Sequence, residues 1–459
     1  MRTTRFWPIF LCVCVLAALF CGCGTEAPAV FSAEGSAWYL GFGSAEIPLP
    51  TASGQPLYIA GYHPGIEITG VRDLQRANAV WIDTGDAGVL LIGIDCVGLG
   101  YDTVSAIRER LADFAADTGC AAIHIYATHT HAGIDTLGLW GPVAIDGKND
   151  AFQANLIDAA VISAKAAYAD RTEGTLLLGS SVPEALLRDS REPQEYDPTL
   201  YQLRFVPADS AKPGIRLFSY SAHAESLRGA NTLVSRDFPG LLSDLLLERC
   251  GDRSLYIPGA VGGLIMTGEL VEPFDAEENL QQTAAALLAA VEAIDHETAL
   301  APSIASAATP LAVPLDNTVF LYYKFLGILG NPVSDGDSET GYLLHSELGA
   351  LRLGHVTLLL IPGEIFPELV TGNGLTAADP EPLASVAARC GVDTLLIACL
   401  CNDELGYIVP PGDFVLHDEV PYLESADDHY EETNSTSRKT ASLIAAAAEQ
   451  VLTALSVQP

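Results

Sequence analysis

Ala121-Ala122-Ile123-His124-Ile125-Tyr126-Ala127-Thr128-His129-Thr130-His131-Ala132-Gly133 is an apolar run that ends in two histidines, one residue apart, and a glycine. The run reads as a buried strand that stops where its polar residues begin. Residues i and i+2 of a strand share a face. His129 and His131 therefore face one cleft if strand geometry persists as far as His131. Neutral imidazole is the commonest metal ligand near neutral pH. One histidine here would be an ordinary polar strand end. A His-x-His pair after a buried strand favours a metal or catalytic role.

Upstream, residues 77–83 and 89–96 are apolar runs separated by Thr84-Gly85-Asp86-Ala87-Gly88, a strand pair with a Gly-bearing loop. Val104, Ile107, Leu111 and Phe114 have helical spacing. A helix over 102–116 followed by the strand into His129 makes a β-α-β-like unit, and ligands gather beyond the carboxyl ends of such strands. Downstream, helical patterns over 152–168, 239–250, 275–294, 381–389 and 435–455 alternate with short apolar strands. The expected fold class is α/β, a single large domain of mixed β-sheets flanked by helices over residues 37–459. Phe320-Leu321-Tyr322-Tyr323-Lys324-Phe325-Leu326-Gly327-Ile328-Leu329 is unusually apolar between turn signals. It is either core or a lip that meets an apolar substrate.

Three further strand ends carry ligand-capable side chains. His223 follows Ser219-Tyr220-Ser221-Ala222. Glu364 follows Leu358-Leu359-Leu360-Ile361-Pro362-Gly363. Tyr407 follows the run 395–401 and Gly406. Each alone has a plain structural explanation, such as loop polarity or a satisfied buried histidine. The recurrence at four strand ends points to a nitrogen–oxygen zinc site with one position open to water or substrate.

The formal charge of −35 argues against nucleic acid and against anionic membranes as bulk electrostatic partners. Arg2 and Arg5 precede an apolar stretch from Phe6 to Phe20, which small residues close. Residues 1–22 read as a lipoprotein-like signal peptide, with Cys23 a candidate acylation site and residues 23–36 a tether. Phe20 departs from the leucine usual three residues before such a cysteine. The expected location is outside the cytoplasm, as a cell-surface lipoprotein or a secreted protein. Cys96, Cys120, Cys250, Cys390, Cys399 and Cys401 lack paired C-x-x-C spacing, so a thiolate zinc knuckle is not expected. Cys96 and Cys399 read as buried thiols.

The ordered set of motifs resembles the neutral, non-lysosomal ceramidase family, in its zinc-bearing N-terminal catalytic domain. His129-Thr130-His131-Ala132-Gly133 is similar to that family's His-Thr-His-Ser-Gly. Ala222-His223 through Asn231-Thr232-Leu233-Val234-Ser235-Arg236-Asp237 is similar to its second histidine and the tract after it. Pro362-Gly363-Glu364, Tyr407 and Tyr430-Glu431 match its Pro-Gly-Glu, its metal-binding tyrosine and its later Tyr-Glu. Ser190-Arg191-Glu192-Pro193 resembles its Asn-Arg-Ser-Pro. The resemblance spans roughly residues 38–455. It implies zinc held by His129, His223, Glu364 and Tyr407. It also implies that His131 acts as acid/base and that Arg191 and Tyr430 orient substrate or stabilise an oxyanion. The implied reaction is hydrolysis of the amide of ceramide or a related N-acyl lipid. Where the family has Gly-Asp-Val-Ser-Pro-Asn, this chain has Gly259-Ala260-Val261-Gly262-Gly263, without the Asp or the Ser. That departure keeps open a zinc hydrolase acting on a non-sphingolipid amide or ester. A non-catalytic surface lipoprotein with the same fold is the third reading.

Overall fold

The strands Arg76–Asp83, Gly88–Ile94 and Cys120–Ala127 are apolar on both faces, so both faces must be covered. The computed structural model of the chain describes residues 27–50, 54–183, 186–189, 191, 194–263, 265–416, 422 and 430–457. The expected signal peptide and Cys23 lie outside the described residues.

These strands form one edge of a large mixed sheet. Its order runs Arg253–Pro258, Ile215–Tyr220, Leu200–Pro207, Thr172–Ser181, Trp38–Glu46, Arg76–Asp83, Gly88–Ile94, Cys120–Ala127. A second sheet has the order Ala29–Glu34, Ser303–Pro314, Tyr342–Leu353, Val356–Leu360, Thr394–Ala398. Alternation puts Val80, Ile82, Val89 and Leu91 of the first sheet against Leu351, Leu353, Val356 and Leu358 of the second, in one buried cluster. The intervening residues Ala79, Trp81, Leu90 and Ile92 point the other way, toward the helix Asp150–Ala169. Thr440–Ser456 covers the outer face of the second sheet in the same manner. The result is one mixed α/β domain in helix, sheet, sheet, helix layers. No helix among the described residues is long and apolar enough to cross a membrane.

Two expectations change. Residues 29–34, read as part of a tether, form an edge strand antiparallel to Ser303–Pro314, with Phe31 and Ala33 packed on the inter-sheet core. The helix over 102–116 is two helices, Tyr101–Arg110 and Ala112–Thr118, broken at Leu111. The β-α-β unit itself stands, because Gly88–Ile94 and Cys120–Ala127 pair in parallel. All six described cysteines carry free thiols, and Cys96 and Cys399 are fully buried.

Candidate metal centre

Parallel pairing puts the carboxyl ends of several strands on one side of the molecule. His129 and His131 follow Cys120–Ala127, His223 follows Ile215–Tyr220, Glu364 follows Val356–Leu360, and Tyr407 follows Thr394–Ala398. Short links draw these ends together. Thr130 bridges Ala224, Tyr126 bridges Cys401, and Glu364–Ile365 pairs in parallel with Tyr407–Ile408.

The strand does not persist to His131. His129 takes φ +63°, a left-handed conformation uncommon for a residue with a side chain. The two imidazoles therefore meet through a kink rather than through strand alternation. Their ring centroids are 4.7 Å apart, and His223 lies 4.6 Å from His129. All three are buried, and one nitrogen of each lies within 4.8 Å of those of the others.

Hydrogen bonds fix which nitrogens face inward. Nδ1 of His129 donates to the carbonyl of Val97 at 2.6 Å, and Nδ1 of His223 donates to that of Ile265 at 2.7 Å. A neutral imidazole that donates through Nδ1 presents a lone pair at Nε2. Nε2 of His223 is 2.9 Å and Nε2 of His129 is 3.3 Å from the same carboxylate oxygen, Oε2 of Glu364. Nε2 of His131 stands 3.3 Å from that of His129. Lone pairs and a carboxylate packed this closely repel one another unless a positive charge lies among them. The donor set thus fits a divalent cation of borderline softness. Burial raises the proton affinity of Glu364, but His129 and His223 outweigh it and hold the carboxylate far below its usual range. Burial lowers that of His223, and Glu364 more than reverses the effect. Burial first, and then the crowding of the His129 and His223 rings, hold the proton affinity of His131 well below the usual imidazole range.

Tyr407 sits opposite Glu364 in the parallel register, and its burial first, then the charge of Glu364, hold its phenol protonated. Its ring meets Tyr430 edge-on at 5.9 Å. Tyr430 lines the same cavity. Arg191 does not line it. The Arg191 guanidinium is held by Asp413 at 2.8 Å, Glu432 at 2.7 Å and Glu431 at 3.4 Å, and lies over the ring of Phe366, two residues beyond Glu364.

Other groups at the site carried no signal in the sequence. Oε2 of Glu225 accepts from the Tyr62 hydroxyl at 2.5 Å and lies 3.6 Å from Nδ1 of His131, whose ring Tyr62 meets edge-on. Gly61 has φ +112°, and a Cβ there would sit 2.5 Å from Cγ of His131. Only a glycine lets this loop close over the imidazole. Oε2 of Glu404 is buried with no partner. The cavity above the cluster has a volume of about 410 Å³, with walls of Leu137, Trp140, Val319, Phe320, Leu329 and Leu344.

The architecture has counterparts among solved structures. It superposes on the crystal structure of neutral ceramidase from Pseudomonas aeruginosa with a TM-score of 0.71 at 16% identity, covering 92% of this chain and 75% of that one. The chain has the neutral ceramidase fold. A ceramidase complexed with C2 gives a TM-score of 0.69, again at 16% identity, over 91% of this chain and 75% of that one. At the level of sequence, no family model and no curated protein matches. The residues of the catalytic-domain resemblance thus sit on the matching fold, and His129, His131 and His223 form the group suited to an ion.

Proposed function

We propose that the chain is an exported, zinc-dependent amidohydrolase that cleaves linear C–N bonds of N-acyl lipids, ceramide among them. The observation that carries this reading is the arrangement of His129, His223 and Glu364, an acceptor-only cluster at the floor of an apolar-walled cavity. In this reading His129, His223, Glu364 and Tyr407 hold the zinc. A bound zinc ion supplies Lewis acidity, polarising a carbonyl and making a water acidic near pH ~7.

The chain's own residues do the rest. Leu137, Trp140 and Phe320 take up acyl chains and exclude bulk water from the reacting carbon. His131 accepts the proton that the attacking water loses as the new C–O bond forms. It returns that proton to the amine nitrogen as the C–N bond breaks. Its neutral state suits it to begin as the base. Tyr430 orients the acyl oxygen, and Arg191 braces the segment that carries Tyr430.

A second reading, an amide or ester outside the sphingolipids, draws on Gly262. A Cβ there would lie 2.6 Å from the backbone nitrogen of Phe366, so the family's serine has no room on this backbone. The test is purified protein assayed for zinc and for turnover of ceramide, N-acyl amino acids and small esters. Zinc at about one per chain and cleavage of an N-acyl lipid, both lost in His223→Ala, is the expected result. Full activity in His223→Ala would end the ligand assignment. Cleavage of esters alone would favour the second reading.

A further inference from the structure

The apolar stretch at 320–329 forms a helix, Thr318–Phe325, that is apolar on both sides. One side, Val319, Phe320 and Tyr323, lines the cavity of the metal centre. The other side faces out. Tyr322, Phe325 and Leu326, at i, i+3 and i+4, are 53%, 66% and 45% exposed. The helix's single charge, Lys324, turns inward and donates to the carbonyls of Asn331 at 2.5 Å and Leu329 at 3.3 Å. The outward face is therefore uncharged. A helix that is apolar all round normally has its whole surface buried.

A second apolar segment adjoins it. Val143 and Ile145 are 85% and 58% exposed, and Val143 also lines the cavity. Lys148 of the same loop donates to the carbonyl of Ile328 at 2.8 Å, which ties loop and helix together. The loop's acid, Asp146, accepts from the backbone nitrogen of Lys148. Five exposed apolar side chains thus continue the cavity wall outward onto the surface of a chain whose net charge is −35.

We propose that this rim, Val143, Ile145, Tyr322, Phe325 and Leu326, docks the protein on a lipid bilayer of neutral or zwitterionic headgroups, with the cavity mouth against the lipid. Continuity with the cavity picks the partner. Apolar side chains that run unbroken from a cavity wall to the surface give an acyl chain a path that avoids water. Lys324 and Lys148 are spent on backbone carbonyls, so among the described residues the exposed rim offers little to an anionic surface, which repels so acidic a chain. Aromatic and leucine side chains on an exposed helix face are the groups that settle at the headgroup–acyl boundary. The use of the surface rests on the N-acyl lipid reading above, but its existence is tested without turnover.

The experiment uses the full chain with two single-tryptophan additions, Phe325→Trp and Leu247→Trp. Leu247 is 53% exposed on the helix Asp237–Cys250, which does not line the cavity. Each is mixed with vesicles of brominated phosphatidylcholine, and emission is read as the difference from the parent chain. Strong quenching at 325 with little at 247 is the expected result. Equal quenching at both, or none at 325, overturns the proposal. The triple variant Tyr322→Ser/Phe325→Ser/Leu326→Ser should bind phosphatidylcholine vesicles about tenfold or more weakly, since three apolar side chains lose their partner phase. It should keep its zinc and its cleavage of a short, water-soluble amide. Unchanged vesicle binding in that variant, or a parent dimer that the variant converts to monomer, also overturns it. Vesicle docking without cleavage of any N-acyl lipid sinks the proposed function and leaves the docking surface standing. Cleavage of the soluble amide without docking does the reverse.

Discussion

Nε2 of His223 and Oε2 of Glu364 lie 2.9 Å apart, although the residues are 141 positions apart in the chain. Each is buried, and the imidazole spends its only neutral-form hydrogen on the Ile265 carbonyl. A cation between them removes a repulsion that the apo protein must relieve by taking up protons or by shifting its side chains. Metal binding should therefore add to folding stability. At free zinc about a thousandfold above the dissociation constant the gain is ~4 kcal/mol. Thermal unfolding after chelation should occur at lower temperature, and zinc should restore it. Identical melting curves with and without chelator would show that the folded protein holds no metal at this site. Glu364→Gln should raise the zinc dissociation constant by about tenfold or more, because a neutral amide replaces the carboxylate among the proposed ligands.

Tyr62 and Glu225 give a separate handle on His131. Glu225 is held by the Tyr62 hydroxyl and faces Nδ1 of His131 at 3.6 Å, while His131 itself is not among the four proposed ligands. Glu225→Gln and Tyr62→Phe should lower kcat about 10-fold or more through a misplaced imidazole, with zinc content unchanged. Loss of zinc in step with activity would show that this arm supports the metal instead.

What the sequence revealed was the delivery system. Apolar runs that end in His129, His223, Glu364 and Tyr407 are legible because strands buried on both faces leave continuous hydrophobic stretches, and the polar residue after each stands out. The closing geometry was not legible. The left-handed turn at His129 that brings His131 beside it leaves no pattern, and Glu225 sits in a loop where a carboxylate is unremarkable. The long strand Tyr342–Leu353 is hard to read in the sequence because His345, Ser346, Glu347 and Arg352 interrupt its alternation. Glu347 is there to pair with Arg108 at 2.7 Å, a contact that only the fold creates. The edge strand Ala29–Glu34 was hidden in a segment rich in alanine, glutamate and proline, which reads as a linker.

Gly262 offers a test of how far the likeness to ceramidases extends. A serine at this position would put Cβ 2.6 Å from both the nitrogen and Cδ2 of Phe366, next to the segment that presents Glu364. Gly262→Ser should therefore destabilise the fold by about 1–3 kcal/mol, as overpacking against backbone does. It should also weaken zinc binding rather than raise ceramide turnover. A variant that melts like the parent and turns ceramide over faster would mean that the backbone here yields readily.

Arg191 should prove to be a brace. Glu432 is fully buried and its carboxylate accepts two hydrogen bonds from the Arg191 guanidinium, at 2.7 and 3.0 Å. Arg191→Met leaves that carboxylate buried without its cation, at a cost of about 3–5 kcal/mol. Arg191→Met/Glu432→Gln should recover much of the loss, since the stranded charge is gone. Chemical denaturation of the single and double variants reads both. If the single variant lost activity at unchanged stability, Arg191 would belong to the chemistry.

His124 sets an acid limit that does not involve the metal centre. Burial, and secondarily the charge of Arg108, push its pKa down to about 4. Its Nε2 pairs with the hydroxyl of Ser306 at 2.8 Å, in the interior of the large sheet's edge strand. The unfolded chain binds this proton near pH ~6.5, whereas the folded chain resists it until about pH 4. Above pH ~6.5 both states are neutral and the stability is fully present. As pH falls from there toward the folded value, the unfolded state gains protons first and stability drains away, by a total of about 3 kcal/mol. His124→Gln keeps a hydrogen-bonding side chain but cannot titrate. The difference in unfolding free energy between parent and variant should therefore shift in the variant's favour between pH 7.5 and pH 5. Zinc release at acid pH affects both proteins alike and cancels in that difference. A parent–variant gap that stays constant with pH would show that His124 takes its proton in the folded state as readily as in the unfolded one.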